Sequence, residues 1–598
     1  MNPRNTWRWI LLAVLLFGFI LVHQKFLQKP GGGPGRVLPM LRAKAVTSLQ
    51  VRPAAGLEIR VERTNGTWQL TAPLAYPAQA VSIDKLLAEL ERLTPAPYIT
   101  ARELQGRPQT DQEYGFATPQ ASLTLEQPGY TYRLRVGANT APGDQVFLQV
   151  VGVQGVYVVS ADFLRYLPRT ADDWRDTTLV DLHGLAVDWL AVTNGPTSFE
   201  LRRDASSKLW RMTYPLQARA NSAKVEESLQ MLQNVRVLQF MPDDPKIDLE
   251  MFGLQTPELV VALGQSSNVV ALLQFGKSLT NDTKQVYARR LGLNAIVAVA
   301  KDLLAPWYAS VNDFRDPFLV RLSAPVAVVE VLGQDPFSLQ RQTNGLWRVL
   351  PQEFPADSGL VRELLSTLGA LPIVEFTKDV VIASDLPAFG LASPVREYVL
   401  KSAMAQPADG TTNTVIAAVA FGTNQADKVF ARRADESFIY AVRLADFQRL
   451  PSAGWQMRDR QIWHFSTNDV VGAVIREHGR LRRIVRNGPH NWSLAPGSQG
   501  IINDLAVEET VSGLCQLAAV SWLARGEASR PRFGLTEPSR EITLELKNGD
   551  KASVQFCGEA AARLPCAAVT LDGELWVFQF PAWLYEYVQR YLSVPPNP

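Results

Sequence analysis

The stretch FGLQTP at residues 252–257 occurs four times along this 598-residue chain, with small changes, and its recurrence decides the fold. The other copies read YGFATP at 114–119, FGLASP at 389–394 and FGLTEP at 533–538. A tryptophan in a strand-like run lies 42 to 47 residues before the glycine of each copy: Trp68, Trp210, Trp347 and Trp492. These tryptophans are 142, 137 and 145 residues apart, and such a nearly fixed period is typical of tandem repeats.

Two further landmarks keep the same order in the repeats. A glycine ends a predicted strand in each copy, at Gly137, Gly276, Gly422 and Gly558. An Arg-Asp pair, interpreted as a local ion pair or a cap at the repeat junction, closes the first three copies at 175–176, 315–316 and 458–459. The fourth copy lacks this pair. We therefore predict four repeats, which span residues 45–176, 177–316, 317–459 and 460–598.

Each repeat carries the same local patterns of apolar residues. Leu57–Val61 alternates before the first tryptophan and predicts a strand, and Leu86, Leu87, Leu90 and Leu93 recur at helical spacing after it. Three or four strand-like runs follow the YGFATP stretch. The patterns predict an α+β fold, in which each repeat of about 140 residues forms an antiparallel sheet with one packed helix. The tryptophans are expected to be buried between sheet and helix.

The N-terminus has the pattern of a membrane segment. The run TWRWILLAVLLFGFILV at Thr6–Val22 predicts one transmembrane helix, so that residues 1–26 form a tail and an anchor in membrane lipid. A cleaved secretory signal peptide and a buried core helix are the alternatives. The run GGGPG at 31–35 predicts a flexible tether over residues 27–44.

Two opposing features bear on the orientation in the membrane. Basic residues outnumber acids just after the apolar segment, and this bias alone favours a cytoplasmic body. A short tail, one apolar segment and a large body are nevertheless the usual layout of an exported protein. We favour a single-pass protein of the bacterial inner membrane whose bulk is periplasmic.

Composition excludes several classes of protein. Apolar residues make up 46% and charged residues 20% of the chain, which is typical of globular rather than disordered proteins. The 60 basic and 58 acidic side chains leave a net charge of +2, so no nucleic-acid partner is expected. Three cysteines cannot form a disulfide scaffold or a four-thiolate zinc site, and five histidines leave little for a histidine metal centre.

The tryptophan run, the helix, the Phe-Gly-Leu-x-x-Pro turn and the Arg-Asp pair together resemble the bacterial "domain of unknown function 4340" family, in four tandem copies over residues 45–598. The third copy departs from the pattern at Pro351 and Pro355. The resemblance implies a membrane anchor followed by repeats, often beside transport systems of the ATP-binding-cassette (ABC) type, including those similar to gliding-motility transporters. It implies no established activity and no catalytic residues.

Side chains with catalytic potential are sparse. Ser82–Lys85 matches a Ser-x-x-Lys pattern without its partner motifs, so Ser82 is interpreted as a helix cap. The three histidines of the last repeat are expected to be exposed rather than to bind a metal: His464, His478 and His490. We predict no catalytic, cofactor-binding or metal-binding residue, and no cofactor.

A basic cluster and three cysteines complete the candidates. The arginines of the cluster are expected on the solvent face of a strand, with Leu481 and Ile484 inward, or in contact with an anionic polymer or lipid headgroups: Arg480, Arg482, Arg483 and Arg486. Cys557 and Cys566 lie at the ends of neighbouring predicted strands, and whether they form a disulfide stays open. Cys515 is expected to be a buried free thiol.

The expected function follows from the repeats and the resemblance. We expect a non-enzymatic, membrane-anchored repeat protein that serves as an accessory or scaffold subunit of an envelope assembly or an ABC-type, gliding-motility-like transport system. Its partners would be proteins of that complex. The alternative is an envelope carbohydrate-binding protein or enzyme.

Overall fold

The computed structural model describes residues 16–17, 35–54, 56–107, 109–243, 246–293, 295–404, 412–558 and 564–594. Two compact units divide the chain, Met1–Phe314 and Arg315–Pro598. Each unit contains two sheets of antiparallel strands.

The first sheet has nine strands: β1 Ser48–Pro53, β2 Ile59–Thr64, β3 Thr67–Ala72, β4 Tyr76–Pro77, β5 Tyr98–Ile99, β6 Ala121–Gln127, β7 Tyr130–Asn139, β8 Gln145–Val150 and β9 Val156–Ser160. They lie in the order β4-β3-β2-β1-β6-β7-β8-β9-β5. Three helices accompany the sheet: α1 Ala80–Arg92, α2 Ala101–Leu104 and α3 Thr110–Glu113. The predicted apolar face of α1 is buried at Leu86, Leu87 and Leu90.

The second sheet also has nine strands: β10 Trp189–Asn194, β11 Thr197–Arg203, β12 Trp210–Tyr214, β13 Ala218–Arg219, β14 Val237–Phe240, β15 Leu259–Gln265, β16 Asn268–Ser278, β17 Gln285–Arg290 and β18 Ile296–Ala300. Their order is β13-β12-β11-β10-β15-β16-β17-β18-β14. Helix α4, Ser222–Gln233, follows β13 and begins at the cap Asn221, whose side chain accepts from the backbone N–H of Lys224.

The third sheet opens the second unit with nine strands: β19 Val328–Gly333, β20 Phe337–Arg341, β21 Trp347–Leu350, β22 Phe354–Ala356, β23 Glu375–Lys378, β24 Arg396–Met404, β25 Thr412–Gln425, β26 Lys428–Arg433 and β27 Ile439–Arg443. Their order is β22-β21-β20-β19-β24-β25-β26-β27-β23. Helix α5, Ser358–Gly369, is capped by Asp357, and the short α6 spans Leu444–Gln448.

The fourth sheet has eight strands: β28 Val470–Glu477, β29 Arg480–Gly488, β30 Asn491–Leu494, β31 Ser521–Arg525, β32 Arg540–Leu546, β33 Lys551–Phe556, β34 Cys566–Leu571 and β35 Glu574–Gln579. Their order is β30-β29-β28-β32-β33-β34-β35-β31, so the edge strand that corresponds to β4 is missing. Helix α7, Asp504–Cys515, is capped by Asn503. Helix α8, Ala582–Tyr591, follows the last strand.

The two glycine landmarks of the sequence meet in space. Gly253, in the FGLQTP stretch, has φ +67°, a left-handed conformation that favours glycine. Gly276, in β16, lies against Phe252, the residue before Gly253. A Cβ added to Gly276 would stand 2.1 Å from the carbonyl oxygen of Phe252. The same close approach occurs at Gly137 and Gly422. The turn therefore packs against a strand that has no room for a side chain, and this explains why both glycines recur together.

The α+β class predicted from the sequence is wrong. The residues that the structure describes are mostly β-sheet, in four antiparallel sheets of eight or nine strands, with 22% helix. Strands as short as Tyr76–Pro77 and Tyr98–Ile99 carry no alternating pattern, so the sequence reading missed the edges of the sheets.

The transmembrane helix predicted at Thr6–Val22 is not supported. The segment lies outside the described residues, apart from Leu16 and Phe17. Across the part of the chain that the structure describes, no helix combines the length and the apolar character that a bilayer crossing requires.

Part of the predicted flexible tether instead packs against the first repeat. Val37, Leu38 and Leu41 are buried, and the backbone N–H of Val37 donates to the carbonyl of Leu93 at the end of α1 over 2.9 Å. Leu179 makes the corresponding bond to Val235 in the second repeat. The exact repeat boundaries stay predictions.

Candidate functional site

The arginine of the first Arg-Asp pair is buried among rings where the first two sheets meet. The Cζ atom of Arg175 lies 4.8 Å from the ring centre of Phe240 on β14 and 5.6 Å from that of Tyr76 on β4. Its guanidinium pairs with Asp172 at 3.1 Å and also with Asp243. Desolvation raises the pKa of Tyr76 to about 12, although the nearby Arg175 charge opposes the shift.

The second pair repeats this environment within the second unit. Arg315 lies 3.9 Å from the ring centre of Phe376 on β23 and 4.9 Å from that of Phe438. The Asp379 carboxylate accepts from its Nη1 at 2.6 Å. Phe376 and Asp379 are three residues apart, as are the corresponding residues of the second sheet.

The third pair joins the third and fourth sheets. Arg458 lies 4.5 Å from the ring centre of Trp576 on β35 and 5.3 Å from that of Phe354 on β22. Asp572 accepts from Nη2 of Arg458 at 2.7 Å. The indole N–H of Trp522 donates to the backbone carbonyl of Arg458 at 3.0 Å. The three arginines are therefore structural cations that tie neighbouring elements together through rings and carboxylates.

A second constellation surrounds the recurring tryptophans, which are buried as predicted. In the first repeat the indole N–H of Trp68 donates to Asp84 at 3.0 Å. Arg63 donates to the same carboxylate oxygen at 3.0 Å, and its Cζ lies 4.5 Å from the indole centre. The Asp84 carboxylate thus bridges a strand arginine and the indole. Asp84 is the fifth residue after Gln79, which caps α1.

The same Arg-Trp-carboxylate triad recurs in two more repeats. Trp210 donates to Glu226 at 2.7 Å, and Arg203 pairs with the same carboxylate. Trp492 donates to Glu508 at 2.8 Å, and Arg486 is again the paired cation. Our sequence reading missed these triads. An acid lies 16 residues after the tryptophan in each of the three repeats, but Glu363 has the same spacing from Trp347 without forming a triad, so this spacing alone does not predict one.

The third repeat breaks the triad. Arg341 pairs in register with Trp347, as Arg63 does with Trp68, but the fifth residue after the helix cap is Arg362. Both arginines are exposed. Among the described residues, neither guanidinium has a carboxylate partner, and the indole N–H of Trp347 has no acceptor.

The basic cluster of the last repeat differs from its predicted orientation. Arg482 is buried and donates to the carbonyls of Ser593 and Ile501 at 2.7 and 2.9 Å, whereas Leu481 is exposed. Residues three apart in a strand point to opposite faces, so Leu481 and Ile484 cannot both face inward. Arg483 pairs with Glu545 at 2.8 Å, so these cations already have structural partners.

Ser82 does not occupy the cap position. Helix α1 starts at Ala80, and the Ser82 hydroxyl donates to the side chain of Gln79 at 2.7 Å. His464, His478 and His490 are exposed, as expected. The described residues contain no group of three or more His, Cys, Asp and Glu side chains placed to hold a metal ion.

The cysteines take two different states. Cys557 and Cys566 form a disulfide between the end of β33 and the start of β34, with their Cα atoms 5.5 Å apart. Cys515 is a buried free thiol on α7, as predicted, and desolvation raises its pKa to about 11.

Four sheets of like strand order with recurring arginine contacts define the class: a tandem-repeat protein built of antiparallel β-sheets. The family described as "Domain of unknown function (DUF4340)" matches residues 68–247, 210–394 and 347–502. These matches span more than half of the chain, which therefore belongs to this family, and each match starts at one of the recurring tryptophans. No curated protein and no solved structure matches.

Proposed function

We propose that this chain is a non-enzymatic repeat protein of the bacterial cell envelope. In this role it is an accessory or scaffold subunit of an envelope assembly or of an ABC-type, gliding-motility-like transport system. Its partners are proteins of that complex, which bind surfaces of the repeats.

The observation that carries this proposal is the use of the buried charges. Arg175 and Arg458 each join two sheets through aromatic rings and a carboxylate, and Arg315 has the same partners within its unit. The almost fully buried Arg175 and Arg315 and the largely buried Arg458 thus stabilise the packing of the repeats. A protein built in this way supports binding to partners over an extended surface.

The disulfide supports a location outside the cytoplasm. Bonds such as Cys557–Cys566 form and persist in oxidising compartments, whereas the cytosol keeps thiols reduced. We therefore place the bulk of the chain in the periplasm.

Affinity purification of the tagged full chain from crosslinked cells, followed by mass spectrometry, tests the scaffold role. Subunits of a transporter or envelope complex are expected with the wild type. They should be lost with Arg458→Ala, which breaks the contact between the third and fourth sheets. The matched control is Arg476→Ala, because the exposed pair of Arg476 with Glu541 contributes little to stability. Recovery of no complex subunit, or equal recovery with both variants, contradicts the proposal.

The second candidate, an envelope carbohydrate-binding protein, is favoured by one observation. Trp583, Tyr587 and Tyr591 form a row along α8, with ring centres 6.2 and 5.8 Å apart, and Trp583 is 57% exposed. The rings meet at 74° and 64°, however, so they do not form the flat platform on which sugars stack.

Glycan binding by Trp583→Ala separates the two candidates. Retention of the full chain on purified envelope polysaccharide should fall with this variant and persist with Tyr214→Ala, an exposed tyrosine of the second repeat. Retention that is absent, or unchanged in both variants, contradicts the carbohydrate-binding candidate.

A further inference from the structure

Three of the four repeats place a carboxylate between a strand arginine and a buried indole. In the first repeat, one oxygen of Asp84 lies 3.0 Å from both Nη2 of Arg63 and Nε1 of Trp68. In the second and fourth repeats, Glu226 and Glu508 take this position. The recurring arrangement is therefore a binding site for one carboxylate, which the chain itself supplies.

The third repeat keeps the two donors and replaces the acceptor with a cation. Arg341 and Trp347 are in the same register as Arg63 and Trp68, and α5 carries Arg362 at the position of the acid. The third repeat therefore carries two arginines and one indole N–H at the chain positions that form the triad in the other three repeats. Guanidinium groups bind carboxylate and phosphate oxygens through paired N–H donors.

A cleft lies beside Arg362. It has a volume of about 570 Å³ and lies between α5 and the segment that leads into the third sheet. Arg321 and Arg362 both line it, together with apolar side chains that include Leu322 and Leu365. Arg321 lies 3.6 Å from Asp316, so the second guanidinium is only partly neutralised.

We infer that the third repeat binds one anionic group from outside the chain, a carboxylate or a phosphate, at Arg341, Arg362 and the indole N–H of Trp347. This anion takes the place of the missing acid and completes the triad. The site deepens the proposed function, on which it rests only for the source of the anion: an acidic side chain of a partner protein is the source that a scaffold would use.

Hydrogen exchange of the full chain, with inorganic phosphate against chloride at equal ionic strength, tests the site. At a phosphate concentration of about four times Kd, exchange in β20, β21 and α5 is expected to slow about fivefold. Arg362→Glu restores an internal acid, so it should slow exchange without phosphate and abolish the phosphate response. Arg348→Glu makes the same charge change on the face of β21 opposite Trp347, and it should keep the response.

A wild type that does not respond to phosphate or to a glutamate-containing peptide overturns the site. A response that persists in Arg362→Glu, or that Arg348→Glu also loses, overturns it as well. Tighter binding of the peptide than of phosphate supports a protein side chain as the source, and the reverse order supports a free anion. If complex subunits are recovered equally with Arg362→Glu and with the wild type, the scaffold role still holds. The partner protein is then not the source of the anion.

Discussion

At the scale of single residues, the role of an arginine in this protein depends on the groups that surround it. Arg175 is buried against the rings of Tyr76 and Phe240 and is neutralised by carboxylates, so its charge is stabilised inside the unit. Arg362 stands at a position where the other repeats have an acid, and the described residues provide it with no carboxylate. The Arg175 side chain therefore stabilises the fold, whereas the Arg362 side chain remains available for a ligand.

Replacement of the buried arginine tests the first of these roles. Arg175→Ala should lower the free energy of unfolding of the first unit by about 2–4 kcal/mol, because it removes the cation from the rings and leaves Asp243 unpaired. Urea denaturation followed by hydrogen exchange in the first unit measures the loss. Arg135→Ala, an exposed arginine of β7, should change stability by less than about 0.5 kcal/mol, and equal effects would contradict a special role for Arg175.

The cysteines give a second prediction at this scale. Burial raises the pKa of Cys515 to about 11, so its thiol should not react with a thiol reagent in the native protein at neutral pH. Denaturation without reductant should expose one reactive thiol, and denaturation after reduction should expose three. Three reactive thiols before reduction would show that Cys557 and Cys566 are not bonded, and would remove the support for a periplasmic location.

At the scale of elements, α1, α4 and α7 each contact the buried tryptophan of their repeat through an acid in their first turns. On α7 this contact is the bond between Glu508 and Trp492, supported by Arg486. Desolvation alone would raise the pKa of Glu508, but the hydrogen bonds from Arg486 and Trp492 outweigh it and lower the pKa.

This shift predicts the acid sensitivity of the helix. A carboxylate whose pKa is lower in the folded state stabilises the protein above its unfolded pKa, and this contribution is lost as pH falls through the folded value. Stability of the second unit should therefore decrease below about pH 4.5, and the decrease should be shallower in Glu508→Gln. Denaturation curves at several pH values measure both. Glu509→Gln, the exposed neighbour, is the control, and an equal change of slope in both variants would contradict the assignment.

At the scale of the whole molecule, the described part of the chain contains four sheets that share most of their strand order. Each unit contains two sheets, and each sheet holds its own buried tryptophan. The last sheet lacks the edge strand of the others, and α8 follows its final strand.

A core substitution shows how far each sheet depends on the rest. Trp210→Ala should cost about 3–5 kcal/mol, the usual range for a buried aromatic residue, and should speed hydrogen exchange most in the second sheet. Exchange in the fourth sheet should change least. Equal loss of protection in all four sheets would indicate one cooperative fold and contradict the repeat description.

The sequence by itself determined the period, the recurring tryptophans and glycines, the apolar face of α1 and the family, because these features depend on local spacing and turn chemistry. Only the tertiary structure decided the mostly-β class, the strand order and the inward direction of Arg482. The physical reason is the distance along the chain between partners. Arg175 meets Asp243 across 68 residues and Arg458 meets Asp572 across 114, and the edge strand Tyr98–Ile99 pairs with Val156 and Tyr157, which also lie far along the chain.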